Sequence, residues 1–147
     1  MKQIYTEKQI GLFLNILLGT IILFILITEV VLKSPADYFI FIADAIVFIA
    51  LLFFFRMDTI VNQEAVEIRF LFGLYTKRIP LQNIYNCTVV TPKWYHGIGI
   101  HIVASNATLY NVKYGKAVQI TLHTGGKIWI GTGNPEALIK SIHDMKA

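Results

Sequence analysis

A chain of 147 residues with 55% hydrophobic and 15% charged side chains, a net charge of +4 and a mean hydropathy of +0.59 has room for one modest domain, yet is more apolar than soluble domains usually are. These figures exclude a disordered chain, a disulfide scaffold and a large soluble enzyme. Cys87 stands alone, so no intramolecular disulfide forms and nothing signals an oxidising compartment.

The apolar excess has an address. Residues 11–32 and 38–55 hold 33 apolar side chains out of 40, whereas residues 56–147 hold 43 out of 92, an ordinary share for a globular domain. Charge divides at the same place, with −1 over residues 1–55 and +5 over residues 56–147. The partition predicts a two-helix transmembrane hairpin over residues 1–56 and a β-rich soluble domain over residues 57–147. At about 1.5 Å per residue the first run reaches roughly 33 Å and the second about 27 Å, against a hydrocarbon core of about 30 Å. The first run ends in Val30, Val31, Leu32 and Lys33 rather than in small residues at a cleavage site, so it reads as retained. Only residues 33–37 separate the runs, with Pro35 among them, which requires antiparallel neighbours. Lys2, Lys8 and Arg56 flank the outer ends, against Lys33 in the turn. That bias predicts a multi-pass protein of the cell membrane with both termini and the soluble domain cytoplasmic.

Polar residues within the runs are candidates for packing or function. Glu29 precedes Lys33 by four residues, the spacing for an ion pair at the interface. Asp44 lies about 9 Å into the second run, where packing, an oligomer contact and an ion path are all open readings. Gly11, Asn15 and Gly19 fall on one stripe that lets helix backbones approach closely.

Beyond Arg56 the pattern changes to short segments with period-two alternation, bounded by glycine, proline and asparagine. Residues 66–70 and 76–79 read as a hairpin, and residues 84–90, 99–104, 108–112, 118–123 and 127–130 as further strands. Val118, Ile120 and Leu122 are expected to face a core, with Gln119, Thr121 and His123 facing out. The last segment, about 135–146, switches to helical period: Asn134 is a good N-cap, Pro135 suits the first helical position and Glu136 complements the helix dipole.

The stretches Arg78-Ile79-Pro80-Leu81-Gln82-Asn83-Ile84, Gly97-Ile98-Gly99-Ile100-His101, Gly115-Lys116-Ala117-Val118-Gln119-Ile120, Gly126-Lys127-Ile128-Trp129-Ile130-Gly131-Thr132 and Asn134-Pro135-Glu136-Ala137-Leu138, in this order and spacing, resemble the bacterial pleckstrin-homology (PH)-like membrane proteins with two N-terminal transmembrane helices. The resemblance implies a membrane α-hairpin followed by a PH-like antiparallel β-barrel with a C-terminal α-helix. It implies a fold and a membrane location more than an activity. His101 stands where that family usually has an arginine.

No catalytic set emerges. His96, His101, His123 and His143 lack metal-ligand spacing, no phosphate loop or nucleophile elbow occurs, and Cys87 reads as a small buried hydrophobe. Neither an enzyme nor a metal or cofactor site is expected. Lys93, Trp94 and Tyr95 form a basic and aromatic loop suited to a headgroup zone or a protein partner, with capping of the barrel core as the alternative. Lys77, Arg78, Lys113 and Lys116 add a basic rim. The expected role is a non-enzymatic, membrane-anchored binding or scaffold module at the cytoplasmic face, with membrane lipids and a protein partner or second copy as partners and no nucleic acid. The alternative is a small accessory subunit that docks into a larger membrane complex through its hairpin.

Overall fold

A computed structural model describes residues 3–32, 42, 45–49 and 56–146. The chain begins with a strand, β1 (Gln3–Ile10), followed by helix α1 (Leu12–Leu32). Eight strands follow: β2 (Arg56–Asn62), β3 (Ala65–Phe70), β4 (Tyr75–Pro80), β5 (Ile84–Val90), β6 (Gly99–Ala104), β7 (Ala107–Asn111), β8 (Ala117–Leu122) and β9 (Lys127–Gly131). Helix α2 (Pro135–Lys146) closes the fold.

The strands form two sheets. The first is an antiparallel meander in the order β1-β2-β3-β4, and the second has the order β5-β8-β9-β7-β6. All pairs in the second sheet are antiparallel except β7 with β9, which is parallel, from Ala107 beside Lys127 to Tyr110 beside Ile130. This mixed sheet replaces the expected all-antiparallel PH-like barrel. A hairpin pattern reads strand neighbours in sequence, and β7 reaches β9 only by skipping β8.

The membrane hairpin is likewise corrected. Among the described residues, no helix is long and apolar enough to cross a membrane. Of the second expected span, only Ile42 and residues 45–49, which are helical, are described; the turn at 33–37 and Asp44 lie outside the described residues. The multi-pass cell-membrane placement and its cytoplasmic orientation rested on that hairpin and fall with it.

Lys8, read from sequence as a charge flanking a membrane span, is instead part of β1. Residues 3–10 pair with β2, Ile10 beside Arg56 and Gln3 beside Asn62, so residues 11–55 leave and rejoin the sheet at the same end. The boundary drawn at 56/57 therefore falls inside β2.

Both sheets turn one face to a shared core. Val61, Val66, Ile68 and Phe70 of the first sheet and Val118, Ile120 and Ile130 of the second are fully buried together with Leu138 and Ile142 of α2. Helix α2 supplies these from an i, i+4 stripe. It starts as its sequence dictates, with Asn134 Oδ1 accepting the Ala137 amide at 3.1 Å. Where β9 passes β7, Gly131 is needed for space: a Cβ there would lie 2.8 Å from Cβ of Asn111.

A carboxylate ties the two sheets to α2. Alternation puts Tyr5, Glu7 and Gln9 on one face of β1, and the Glu7 carboxylate accepts hydrogen bonds from the Tyr5 hydroxyl (2.8 Å), Gln9 Nε2 (2.9 Å), the Gly133 amide (2.7 Å) and Thr132 Oγ1. Gln9 Nε2 also donates to the Gly131 carbonyl at 2.7 Å. Burial, reinforced by the bond to Glu7, pushes the Tyr5 hydroxyl up to about 12.

Candidate functional site

Three concave or apolar regions compete for attention. A cavity of about 650 Å³ opens between the β2–β3 turn, the end of β4 with the turn that follows it, and the end of α2. Its charged lining is already engaged: Arg78 pairs with Glu64, and Lys146 Nζ donates to the Ile84 carbonyl. The β3–β4 turn is strained and apolar, with Leu71 and Phe72 at φ of 44° and 56° and Phe72 and Leu74 largely exposed. Its neighbouring cation, Arg56, lies 5.2 Å from the Phe72 ring centroid but is held by Asp58, which raises the guanidinium pKa further. Neither region offers a free group of defined chemistry.

The third region is the outer face of the second sheet. Register places His101, Leu109, Trp129, Gln119 and Thr88 in one row across β6, β7, β9, β8 and β5. Ile128 and Ile130, alternating with Trp129, point to the core. Because β5 and β6 are opposite edges of this sheet, residues 91–98 must cross all five strands, about 19 Å at 4.8 Å per spacing. They do so over the outer face, through a 3-10 turn at Trp94–His96.

Aromatic rings build the resulting roof. His96 meets Trp129 edge-on with centroids 6.0 Å apart, Tyr95 meets His96 at 4.8 Å, and Trp94 meets Tyr95 at 6.0 Å. Trp129 is fixed from below, its indole N–H donating to Gln119 Oε1 at 2.9 Å. Lys93 Nζ sits 5.6 Å from the Tyr95 centroid. Beneath the roof Leu109 is fully buried, while on top Trp94 and Tyr95 are 80% and 59% exposed. The roof is anchored to β6, since His101 Nε2 lies 2.8 Å from the Ile98 carbonyl. Gly97, at φ of 75°, lets the chain turn there, and a Cβ on it would meet that imidazole at 3.2 Å. His96 Nδ1 is buried without a hydrogen-bond partner among the described residues.

The electrostatics of the two sheets differ sharply. In the first sheet and its β2–β3 turn, Asp58, Glu64 and Glu67 are paired with Arg56, Arg78 and Arg69. Residues 84–131, which make the whole second sheet, hold four lysines and three histidines and no aspartate or glutamate. Residues 68–135 hold seven lysines and arginines without a single acid. No opposing charge on this sheet neutralises Lys93, Lys113, Lys116 or Lys127.

The residues expected from sequence are therefore divided. Lys93, Trp94 and Tyr95 come together as one exposed group. Lys77 and Arg78 lie instead on β4 of the first sheet, beside Leu122 and Ile128 at one end of the second. Lys113 and Lys116 lie in the β7–β8 turn at its other end, about 17 Å away along β8. The single basic rim is thus two separate groups, and Arg78 is ion-paired. In α1, Asn15 is half-buried, Gly19 has nothing within 4 Å of where a Cβ would stand, and the Gly11 carbonyl accepts the Asn15 amide in the helix's own ladder. Among the described residues the stripe of Gly11, Asn15 and Gly19 shows no packed partner at Gly19, and the Glu29 side chain and Lys33 lie outside them. Cys87 is buried, and burial pushes its thiol up to about 11. Among the described residues, no group of three or more His, Cys, Asp or Glu side chains could hold a metal ion.

Trp129 and Gln119 were not connected with this loop from sequence, and His96 was read only as its closing residue. They are brought to Trp94 and Tyr95 by a crossing whose path depends on the strand order. The acid-free stretch 68–135 is the signal that was available.

No known family model matches the chain, and no curated protein or solved structure is similar to it. The resemblance to PH-like proteins with two N-terminal transmembrane helices is thereby overturned, since neither a family match nor a membrane-spanning helix among the described residues accompanies it.

Proposed function

We propose that the chain is a non-enzymatic binding module that holds an acidic segment of a partner protein on the aromatic roof of its second sheet. One observation carries the reading: exposed Trp94 and Tyr95, with Lys93 beside them, stand on a sheet that contains no acidic residue. Exposed aromatics bury much area at little entropic cost, and unpaired lysines select the sign of the partner and speed the encounter. Among the described residues Lys93 is in no ion pair that would have to break before a ligand binds. The earlier alternatives, docking through a membrane hairpin or an ion path through Asp44, drew on the hairpin corrected above.

The test is fluorescence anisotropy of the full chain with a fluorescein-labelled peptide of sequence Glu-Val-Glu-Val-Glu-Phe-Glu. Trp94→Ala is expected to weaken binding by about tenfold or more, as for a central aromatic anchor. Lys93→Glu should weaken it about fivefold and flatten its salt dependence. Unchanged affinity in both variants would overturn the reading.

A further inference from the structure

We infer that the acidic segment is taken up as an added β-strand along β6; the inference rests on the binding function proposed above and names its mode. The two sheets have four edges, β1, β4, β5 and β6. Edge strands offer unpaired N–H and C=O groups, and proteins normally guard them with charges, prolines, bulges or covering elements. β1 carries Glu7 and Lys8, and β4 carries Lys77, Arg78 and Pro80. β5 is irregular between Ile84 and Asn86, and its Ile84 carbonyl is capped by Lys146 of α2. β6, Gly99-Ile100-His101-Ile102-Val103-Ala104, has neither charge nor proline.

Ile102 at the centre of β6 is 82% exposed, more than any other large apolar side chain described. A register shift between Ile102 and Ala104 ends the regular run, leaving residues 99–102, about 13 Å, for a short segment. The two faces of that run ask for different side chains. Ile100 and Ile102 are on the core-facing side, where an incoming strand's apolar residues would extend the core past its present edge. His101 is on the outer side, held to the near end of the crossing through the Ile98 carbonyl, where carboxylates would meet a sheet face that carries no acid. An alternating acidic and apolar strand satisfies both faces.

A second copy of the chain fits less well, because pairing β6 with itself would bring together two sheets that each hold four lysines and no acid. An oligonucleotide fits the charge but not the edge. Phosphates only accept hydrogen bonds, whereas an edge strand needs donors and acceptors in alternation.

The experiment uses the full chain and the same Glu-Val-Glu-Val-Glu-Phe-Glu peptide in two N-methylated forms, one methylated at the odd residues and one at the even. An added strand turns only alternate N–H groups to β6. One form should therefore lose affinity by about tenfold or more, while the other stays within about threefold of the parent. Equal affinity or equal loss in the two forms overturns strand addition. If Trp94→Ala still weakens the parent peptide in that case, the roof remains the binding surface and only its mode is wrong. Tighter binding of a twelve-residue oligouridylate than of the peptide overturns the peptide assignment. So does a dimer on gel filtration that Ile102→Lys abolishes, since a second copy would then occupy the edge.

Discussion

Phe70→Ala is expected to destabilise the chain by about 3–5 kcal/mol in urea denaturation followed by far-ultraviolet circular dichroism. Phe70 ends β3, is fully buried and lies against Tyr75 of β4 and Tyr110 of β7, with ring centroids 6.1 and 6.4 Å away. It therefore fills space between the sheets. Burial raises the Tyr110 hydroxyl pKa, and its hydrogen bond with Tyr75 raises it further. Truncating Phe70 removes aromatic contact from both tyrosines and leaves a cavity beside a buried hydrogen bond. Phe70→Leu, which keeps most of the volume, should cost about half as much or less. A loss below about 1 kcal/mol for Phe70→Ala would show that the sheets do not share this contact.

Glu7→Ala is expected to cost about 2–3 kcal/mol, a fall in Tm of roughly 5–10 °C by differential scanning calorimetry. Four donors converge on the Glu7 carboxylate, from Tyr5, Gln9, Thr132 and Gly133. Charge-assisted bonds of this kind are individually strong but share one acceptor group, so their effects do not add. Buried Thr132 loses an acceptor, and β1 loses its tie to the start of α2. Glu7→Gln should fall between the two, because an amide keeps one acceptor and places an NH₂ against donors. An unchanged Tm in Glu7→Ala would mean that β1 is held by its ladder to β2 alone.

The strands of residues 66–130 and the helix at 135–146 were legible because their side-chain periods and their Asn, Pro and Gly boundaries are local. Val118, Ile120, Gln119 and Thr121 alternate between core and surface as expected. β1 was not legible. Gln3–Ile10 alternates, but its partner β2 begins 46 residues after it ends, and Lys8 and Arg56 fit equally well as charges flanking a hydrophobic span. The parallel pairing of β7 with β9 has no local signature either. At the site, Trp94 and Tyr95 were visible as a basic aromatic loop, yet their exposure follows from a five-strand crossing that no short pattern encodes. The charge segregation was open to counting, since the run between Glu67 and Glu136 contains no acid. Its meaning appears only when residues 84–131 of that run become one sheet.

The chain contains two tryptophans, Trp94 and Trp129, and both stand on the outer face of the second sheet. Intrinsic tryptophan emission therefore reports on this surface alone. Titration of the full chain with unlabelled Glu-Val-Glu-Val-Glu-Phe-Glu should give a saturable blue shift and reduced acrylamide quenching. Both responses should be largely lost in Trp94→Phe and absent with the Lys-Val-Lys-Val-Lys-Phe-Lys peptide. Saturable binding by anisotropy with no change in tryptophan emission or quenching would place the acidic segment elsewhere and contradict the assignment of this face.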